Sequence, residues 1–299
     1  STPMSITLEN IRQAQSLISD HINRTPVLKS TILNDLTNSQ LHFKCENFQK
    51  TGSFKARGAS YSVLSLSEAE AKKGIVAHTS GNHGGALAWA GKGRGIPVTV
   101  VVPHGAPTIK LDAMAYYGAK VVRCEPTMEA RESAAEKIVI ETGANYIPPF
   151  NSHTVITGQG TLGLELLAEI KHLDTVIIPV GGGGLISGVA TAIKSVNPTI
   201  EIIGVEPAAA SSGAQSLAAG VHQADNQTPL KTVADGLAAS IGTLKFPLIQ
   251  QYVDDILVVT DDAIIEAMQL IWTRMKIIVE PAASAALAAV LQYPGRFHG

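Results

Sequence analysis

The segment F-Q-K-T-G-S-F-K-A-R-G-A (48–59) carries three cations, Lys50, Lys55 and Arg57, around a bend at Thr51, Gly52 and Ser53. Ser53 has the residue type of an N-cap, which makes Phe54 and Lys55 the first two residues of a helix. A lysine there faces the positive end of the helix dipole, a poor place for a charge that serves only solubility. That position, the nearby charge of Arg57 and burial beside Phe54 all lower the amine's pKa and favour the neutral nucleophile. A neutral lysine amine bonds covalently to carbonyl carbon. Taken alone, the segment also reads as a solvated lysine near a helix start, and Lys50 and Arg57 read as ordinary cations.

Two loops elsewhere bear on the choice. In P-V-G-G-G-G-L-I-S-G (179–188) a strand runs into Gly181, Gly182, Gly183 and Gly184 and then into a helix. Consecutive glycines let backbone N–H groups converge, and the helix start adds positive potential, a combination suited to a phosphate dianion. One tight turn does not need four glycines. A Walker loop would require Lys after Gly184, where Leu185 stands. The dinucleotide pattern G-x-G-x-x-G fails at Ile186 and Ser187, so a small phosphorylated cofactor fits better than a nucleotide. In the second loop, H-T-S-G-N-H-G (78–84), hydroxyl, amide and backbone N–H groups can hold a carboxylate, and Ser80 can move a proton. The same residues serve equally well as a plain N-cap.

These loops need a scaffold. Apolar runs at 41–46, 74–79, 97–102, 119–124, 174–180, 200–205 and 255–260 read as strands. Helical patterns at 54–65, 82–92, 108–117, 128–141, 157–170, 184–196, 261–276 and 280–292 alternate with them, after an opening amphipathic helix from Ile6 to Ile22. Such alternation predicts an α/β fold with parallel sheets covered on both faces and the ligand at the carboxyl ends of the strands. With 299 residues, 45% of them hydrophobic and 16% charged, the chain can bury a large core, in two lobes whose boundary composition does not mark. A net charge of −2 gives no reason to expect nucleic acid or an anionic membrane as partner. Cys45 and Cys124 show no metal-type spacing and read as reduced thiols. No basic segment leads an apolar core at the N-terminus, and no run reaches the roughly 20 apolar residues of a membrane span; the expectation is a cytoplasmic protein.

Together, F-Q-K-T-G-S-F-K-A-R-G-A, S-G-N-H-G, G-A-K-V-V-R-C-E, I-T-G-Q-G-T, P-V-G-G-G-G, V-A-D-G and W-T-R-M-K with V-E-P-A-A resemble the fold-type-II pyridoxal-phosphate enzymes, in their serine/threonine dehydratase and serine racemase branch. The resemblance covers nearly the whole chain. It implies two open, twisted, mostly parallel sheets flanked by helices. A large cofactor-binding domain would comprise 1–73 and 151–299, a small domain 74–150, and the protein would be a homodimer. By the resemblance, Lys55 holds the cofactor covalently and is the base for the Cα proton. Phe54 flanks the cofactor ring, Asn82 bonds its phenolic oxygen, Gly181 to Gly184 hold its phosphate, and Glu280 lies on the pyridine side. Ser80, Gly81, Asn82 and His83 bind the substrate carboxylate, and Ser80 is the proton donor of the opposite face in racemase-like members.

Several positions depart from that pattern or qualify it. The Ser or Thr that such enzymes set against the pyridine nitrogen, in an S-G-G-N-like segment of a last strand, is missing; the expectation is an incomplete sequence, the alternative a ring nitrogen without its usual partner. The divalent-cation site of racemase-like members is matched by Glu206 and the Ala210 carbonyl, but Ser212 stands at the Asp position, which makes Mg²⁺ doubtful. Phe150 occupies the place of a pocket Asn, as in dehydratases. Arg131 matches a pocket arginine that could clamp the distal carboxylate of a 3-hydroxyaspartate. In E-A-R-E it reads equally as a surface arginine pairing with its neighbours.

The expected activity is a pyridoxal-phosphate-dependent dehydratase (ammonia-lyase) that converts L-threonine and L-serine to 2-oxo acids and ammonia. Serine racemase and 3-hydroxyaspartate ammonia-lyase are the alternatives. Readings from other classes are a cofactor-holding relative without turnover and a nucleotide-dependent oxidoreductase, the latter disfavoured by the failed dinucleotide pattern.

Overall fold

The computed structural model describes residues 6–79, 81–149, 152–223 and 230–299. Helix α1 (Leu8–Ile18), capped by Thr7, leads to β1 (Val27–Leu28), α2 (Thr31–Thr37), β2 (Phe43–Lys44), α3 (Lys55–Leu64) and α4 (Glu68–Ala71). A first βα series follows: β3 (Ile75–His78), α5 (Asn82–Arg94), β4 (Val98–Pro103), α6 (Thr108–Tyr116), β5 (Lys120–Cys124), α7 (Met128–Thr142) and β6 (Asn145–Tyr146). The second contains α8 (His153–Glu169), β7 (Thr175–Pro179), α9 (Gly184–Val196), β8 (Glu201–Pro207), α10 (Ser212–Ala219), α11 (Phe246–Tyr252), β9 (Asp255–Val259), α12 (Asp261–Leu270) and α13 (Pro281–Gln292). Local chemistry sets many of the ends. Thr127, Ser152 and Thr260 side chains accept the first-turn N–H groups of α7, α8 and α12. Pro281 opens α13, where its missing N–H costs nothing.

The strands form a parallel sheet of order β5-β4-β3-β6, a parallel sheet of order β7-β8-β9 and an antiparallel β1-β2 pair. Both parallel sheets are covered on their two faces. Ile75 and Ala77 of β3 pack with Ala59 of α3 and Leu87 of α5, whereas Val76 faces Ala135 of α7. In the other sheet, Val176 and Ile202 pack with Val189 of α9, and Val205 and Val259 pack with Ala288 of α13. The expected α/β architecture, two parallel sheets flanked by helices, is present. The strand expected over 41–46 shortens to Phe43–Lys44, because the chain turns into a 3-10 segment at Glu46–Phe48. The helix expected over 261–276 ends at Leu270 and passes into one π turn, Ile271–Met275, closed by Lys276 at φ 61°. The helix expected over 157–170 starts earlier, at His153, where Ser152 caps it.

Helix α8 sets the spacing between α3, which carries Lys55, and α9, which carries the glycine loop. The contacts have no room for side chains. A Cβ on Gly188 would stand 2.3 Å from the Ile156 carbonyl, and one on Gly158 would stand 2.6 Å from the Gly58 Cα. Gly188→Ala is expected to destabilise the protein by about 1–3 kcal/mol, the cost of forcing a methyl group into a packed core. The midpoint of urea unfolding checks it; an unchanged midpoint would show that the helices separate freely.

Candidate active site

Lys55 is the first residue of α3, one position earlier in the helix than expected, because Phe54 and not Ser53 is the N-cap; Ser53 Oγ still accepts the Lys55 N–H at 3.3 Å. The side chain lies beside Phe54, with the ammonium 5.4 Å from the ring centroid, and donates to the Pro149 carbonyl at 3.3 Å. Burial, and then the charge of Lys110, bring the amine down to about 8, with Glu280 opposing. An amine at that value is neutral in a substantial fraction near neutral pH, as a nucleophile and base must be.

Arg57 does not supply the repulsion expected of it. Two positions further along α3, it turns away from Lys55 and is fully buried. Its guanidinium donates to Glu46 at 2.6 and 3.0 Å, to Glu165 at 2.5 and 3.1 Å, and to Thr161. Burial would lower its pKa, but the two carboxylates more than offset that and raise it. Arg57 is an anchor for α3, not an ordinary surface cation.

The glycine loop faces the same cavity as Lys55, a space of about 610 Å³ lined also by Gly81, Asn82, Arg131 and Glu280. Gly181 and Gly183 adopt φ +54° and +93°, conformations that side-chain-bearing residues rarely hold. Ser187 N–H is bonded back to Gly183, so the N–H groups of Gly184, Leu185 and Ile186 are first-turn donors without intrahelical acceptors. This cradle, a nucleophilic lysine and the cavity between them fit a small phosphorylated aldehyde. Gly183 is also backed by Lys245, a fully buried lysine whose Cδ is 3.5 Å from the place of a Gly183 Cβ. Burial, then the Lys55 charge, hold the Lys245 pKa well below its ordinary value.

The 78–84 loop joins β3 to α5 at the carboxyl end of the sheet. Ser80 lies outside the described residues, as does Phe150. Asn82 opens α5, and its Nδ2 donates to Glu280 Oε1 at 2.8 Å, leaving a second amide hydrogen for a ligand. His83 is buried, and Nε2 donates to the Ile147 carbonyl at 3.0 Å. Burial and then the Lys55 charge lower its pKa to about 3. The His83 ring is therefore neutral with its proton already used. Of the contacts expected from it toward a substrate carboxylate, only its backbone N–H can donate.

Arg131 resolves against the surface alternative. It is partly buried on α7, lines the cavity, and Nε donates to His78 Nδ1 at 3.1 Å rather than pairing with Glu129 or Glu132. His78 accepts on Nδ1, so its proton sits on Nε2; burial and then Arg131 lower its pKa to about 3 and keep it neutral.

The cation-site residues come together without making a site for a hard dication. Glu206 is fully buried, and its oxygens accept the Gly213 and Ala214 N–H groups at 2.9 and 2.7 Å, at the start of α10. Ser212 Oγ accepts from Ile241 N–H at 2.8 Å. Among the described residues no group of three or more His, Cys, Asp or Glu is placed to hold a metal. Ser212 thus brings a neutral hydroxyl, a poorer ligand for a hard dication than a carboxylate, and it already accepts a backbone N–H.

Lys110 and Asp235 were missed as site residues. Lys110 Nζ stands 3.0 Å from Asp235 Oδ2 and 3.7 Å from Glu280 Oε2, all three lining the cavity. Asp235 lies in the V-A-D-G segment, which offered a signal; nothing in the sequence around Lys110 did.

Fold and cavity thus have the arrangement that an enzyme holding a phosphorylated cofactor beside a lysine amine would need. Residues 18–299 match the family described as pyridoxal-phosphate dependent enzyme; the chain belongs to that family, and its cofactor is pyridoxal 5′-phosphate. Serine racemase of Dictyostelium discoideum is 46% identical over 97% of this chain and 90% of its own length. Beta-hydroxyaspartate dehydratase of Paracoccus denitrificans is 41% identical over 98% and 92%. The solved threonine deaminase of T.th. has a TM-score of 0.93 at 42% identity, covering 97% of this chain and 94% of that one. No helix among the described residues is long and apolar enough to cross a membrane.

Proposed function

We propose that the protein is a pyridoxal-phosphate-dependent dehydratase of small L-β-hydroxy amino acids, with serine and threonine as the first substrates to test. The observation that carries this reading is the Lys55 amine, held near 8 in one cavity with the Gly181–Gly184 cradle. The names of the similar proteins, which concern serine, threonine and β-hydroxyaspartate, support the substrate class.

Under this proposal Lys55 holds the cofactor covalently, the N–H groups of the glycine loop and α9 take its phosphate, Phe54 flanks its ring, and Asn82 and Glu280 contact its ring polar groups. When bound, pyridoxal phosphate withdraws electrons from the substrate Cα and makes its hydrogen acidic. The Lys55 amine receives that proton at Nζ. The N–H groups of Asn82 and His83 hold the substrate carboxylate at the start of α5, since the Gly81 N–H already donates to Thr79 Oγ1 at 3.0 Å. Loss of the Cα proton and the β-hydroxyl as water, followed by hydrolytic release of the amine, gives a 2-oxo acid and ammonia. Segments 1–73 and 151–299 are proposed as the cofactor-binding lobe and 74–150 as the smaller lobe. A homodimer belongs to the same proposal, checked by light scattering on the eluting protein.

The inward Arg131 favours a second reading, a 3-hydroxyaspartate dehydratase in which its guanidinium binds the distal carboxylate. L-Serine, L-threonine and threo-3-hydroxyaspartate should be offered separately, with 2-oxo acid and D-serine both assayed. Predominant 2-oxo acid is expected; predominant D-serine would replace the dehydratase reading with a racemase. Arg131→Ala is expected to lower kcat/KM for the dicarboxylate by about 100-fold, a loss the size of a buried charged hydrogen bond, and to change the monocarboxylates little. Equal losses on all three substrates would remove Arg131 as the distal clamp.

A further inference from the structure

The position of Lys110 is unusual in three respects. It is the third residue of α6, where the helix dipole disfavours a cation. Its side chain is only 12% exposed. The ammonium reaches out of the layer built on β3–β6 to Asp235 and to Glu280, both in the layer built on β7–β9. It also crosses directly over the 78–84 loop, since a Cβ on Gly81 would stand 2.9 Å from Nζ. Glu280 is held from both sides, with Oε2 facing Lys110 and Oε1 accepting from Asn82. Four side chains, two from each layer, therefore close one polar cluster over the cavity.

We propose that Lys110 is a positioning residue that clasps the two layers through Asp235 and Glu280, fixes Glu280 and Asn82 for the cofactor, and supplies the positive field that keeps the Lys55 amine reactive. The inference rests on the Lys55 reading above. The titratable groups around Lys55 are Lys110 from α6, Glu280 from the start of α13, His83 from α5 and Lys245 at the start of α11, and of these the charges of Lys110 and Glu280 shift the Lys55 amine. His83 is neutral. Lys110 and Glu280 act in opposite directions on Lys55, with Lys110 lowering its pKa and Glu280 raising it. Removing Lys110 both deletes the repulsion and releases Glu280 from its counter-ion, and the two changes add. Any role limited to holding the fold together would not give Lys110 and Glu280 opposite signatures.

The test is competitive acetylation of the cofactor-free protein across pH, with Lys55 followed by peptide mass spectrometry. Wild type is expected to show Lys55 titrating near 8. Lys110→Met is expected to move it up toward the ordinary lysine value, Glu280→Gln to move it down, and Lys110→Arg to leave it close to wild type. A second measurement uses the holoenzyme, in which Lys110→Met is expected to lower kcat/KM about 10- to 100-fold through misplacement of the cofactor's neighbours, with circular dichroism unchanged. An unchanged Lys55 titration in Lys110→Met overturns the proposal, as does a shift of the same sign in Lys110→Met and Glu280→Gln. The titration needs no cofactor and no turnover, so failure of the dehydratase reading would show only in the kinetic arm.

Discussion

Lys55→Ala is expected to lower turnover by at least about 10,000-fold, the upper end of what one acid–base group contributes, because the same amine also holds the cofactor. The loss should fall on kcat. The glycine cradle, Asn82 and Glu280 are untouched by the substitution, so pyridoxal phosphate should still bind, reversibly and without a covalent link. Equilibrium dialysis measures that binding, and single-turnover kinetics measure the step. Lys55 points its amine into the cavity rather than into the packed core and sits at the first position of α3, so its truncation leaves the core intact and the fold should survive. Retention of a tenth of wild-type activity would assign the proton transfer to another group. Lys110 would then be the first to examine, since it shares the cavity and its charge reaches Lys55.

Arg57→Ala is expected to produce the largest loss of stability of any single substitution considered, about 3–5 kcal/mol, the range found when one partner of a buried ion pair is removed. That is a large share of the roughly 5–15 kcal/mol that holds a typical domain folded. The reason is local. Glu165 carries a 2.5 Å bond from Arg57 and a 2.9 Å bond from Lys44, and the Glu165 and Lys44 side chains are each only 6% exposed. Glu46 binds Arg57 and also accepts from Thr25 at 2.6 Å. Without the guanidinium, Glu46 loses its ion-pair partner and Glu165 must share Lys44 with Glu169 in a largely dry interior. Arg57→Lys should recover only part of the loss, since an ammonium cannot reproduce the fork that engages both carboxylates. Urea unfolding followed by circular dichroism gives the comparison, and a destabilisation below about 1 kcal/mol, the worth of a surface pair, would contradict the assigned role.

The two substitutions separate what local sequence shows from what it does not. Lys55 was legible because its signals are local: a serine just ahead of it, a helix start and an adjacent aromatic ring. The glycine loop was legible because four glycines between a strand and a helix restrict backbone conformation in few ways, and positive φ at Gly181 and Gly183 bears this out. The longer parallel strands, β3 to β5 and β7 to β9, were readable as near-continuous apolar runs, since both faces of each sheet are covered. Helices α2, α4, α10 and α11 were not, because four to eight residues give too little periodicity to stand out from a loop. Arg57 and Lys110 were misjudged or missed for one reason. Glu165, which completes the Arg57 site beside the nearer Glu46, and Asp235, the partner of Lys110, lie 108 and 125 residues away along the chain, and nothing in a local pattern announces such a pairing. His83 shows a third kind of limit: its type suggested a donor to substrate, but the Ile147 carbonyl already takes its one ring proton.

The central claim is that Lys55 and the glycine cradle together hold pyridoxal phosphate. The most direct measurement is to add pyridoxal phosphate to the purified protein, record the visible absorbance, reduce with borohydride and map the modified peptide by mass spectrometry. A visible band that borohydride converts into a permanent adduct on Lys55 is the predicted result, with no permanent adduct at that position in Lys55→Ala. A protein that stays colourless with added cofactor, or an adduct confined to Lys110 or Lys245, would contradict it.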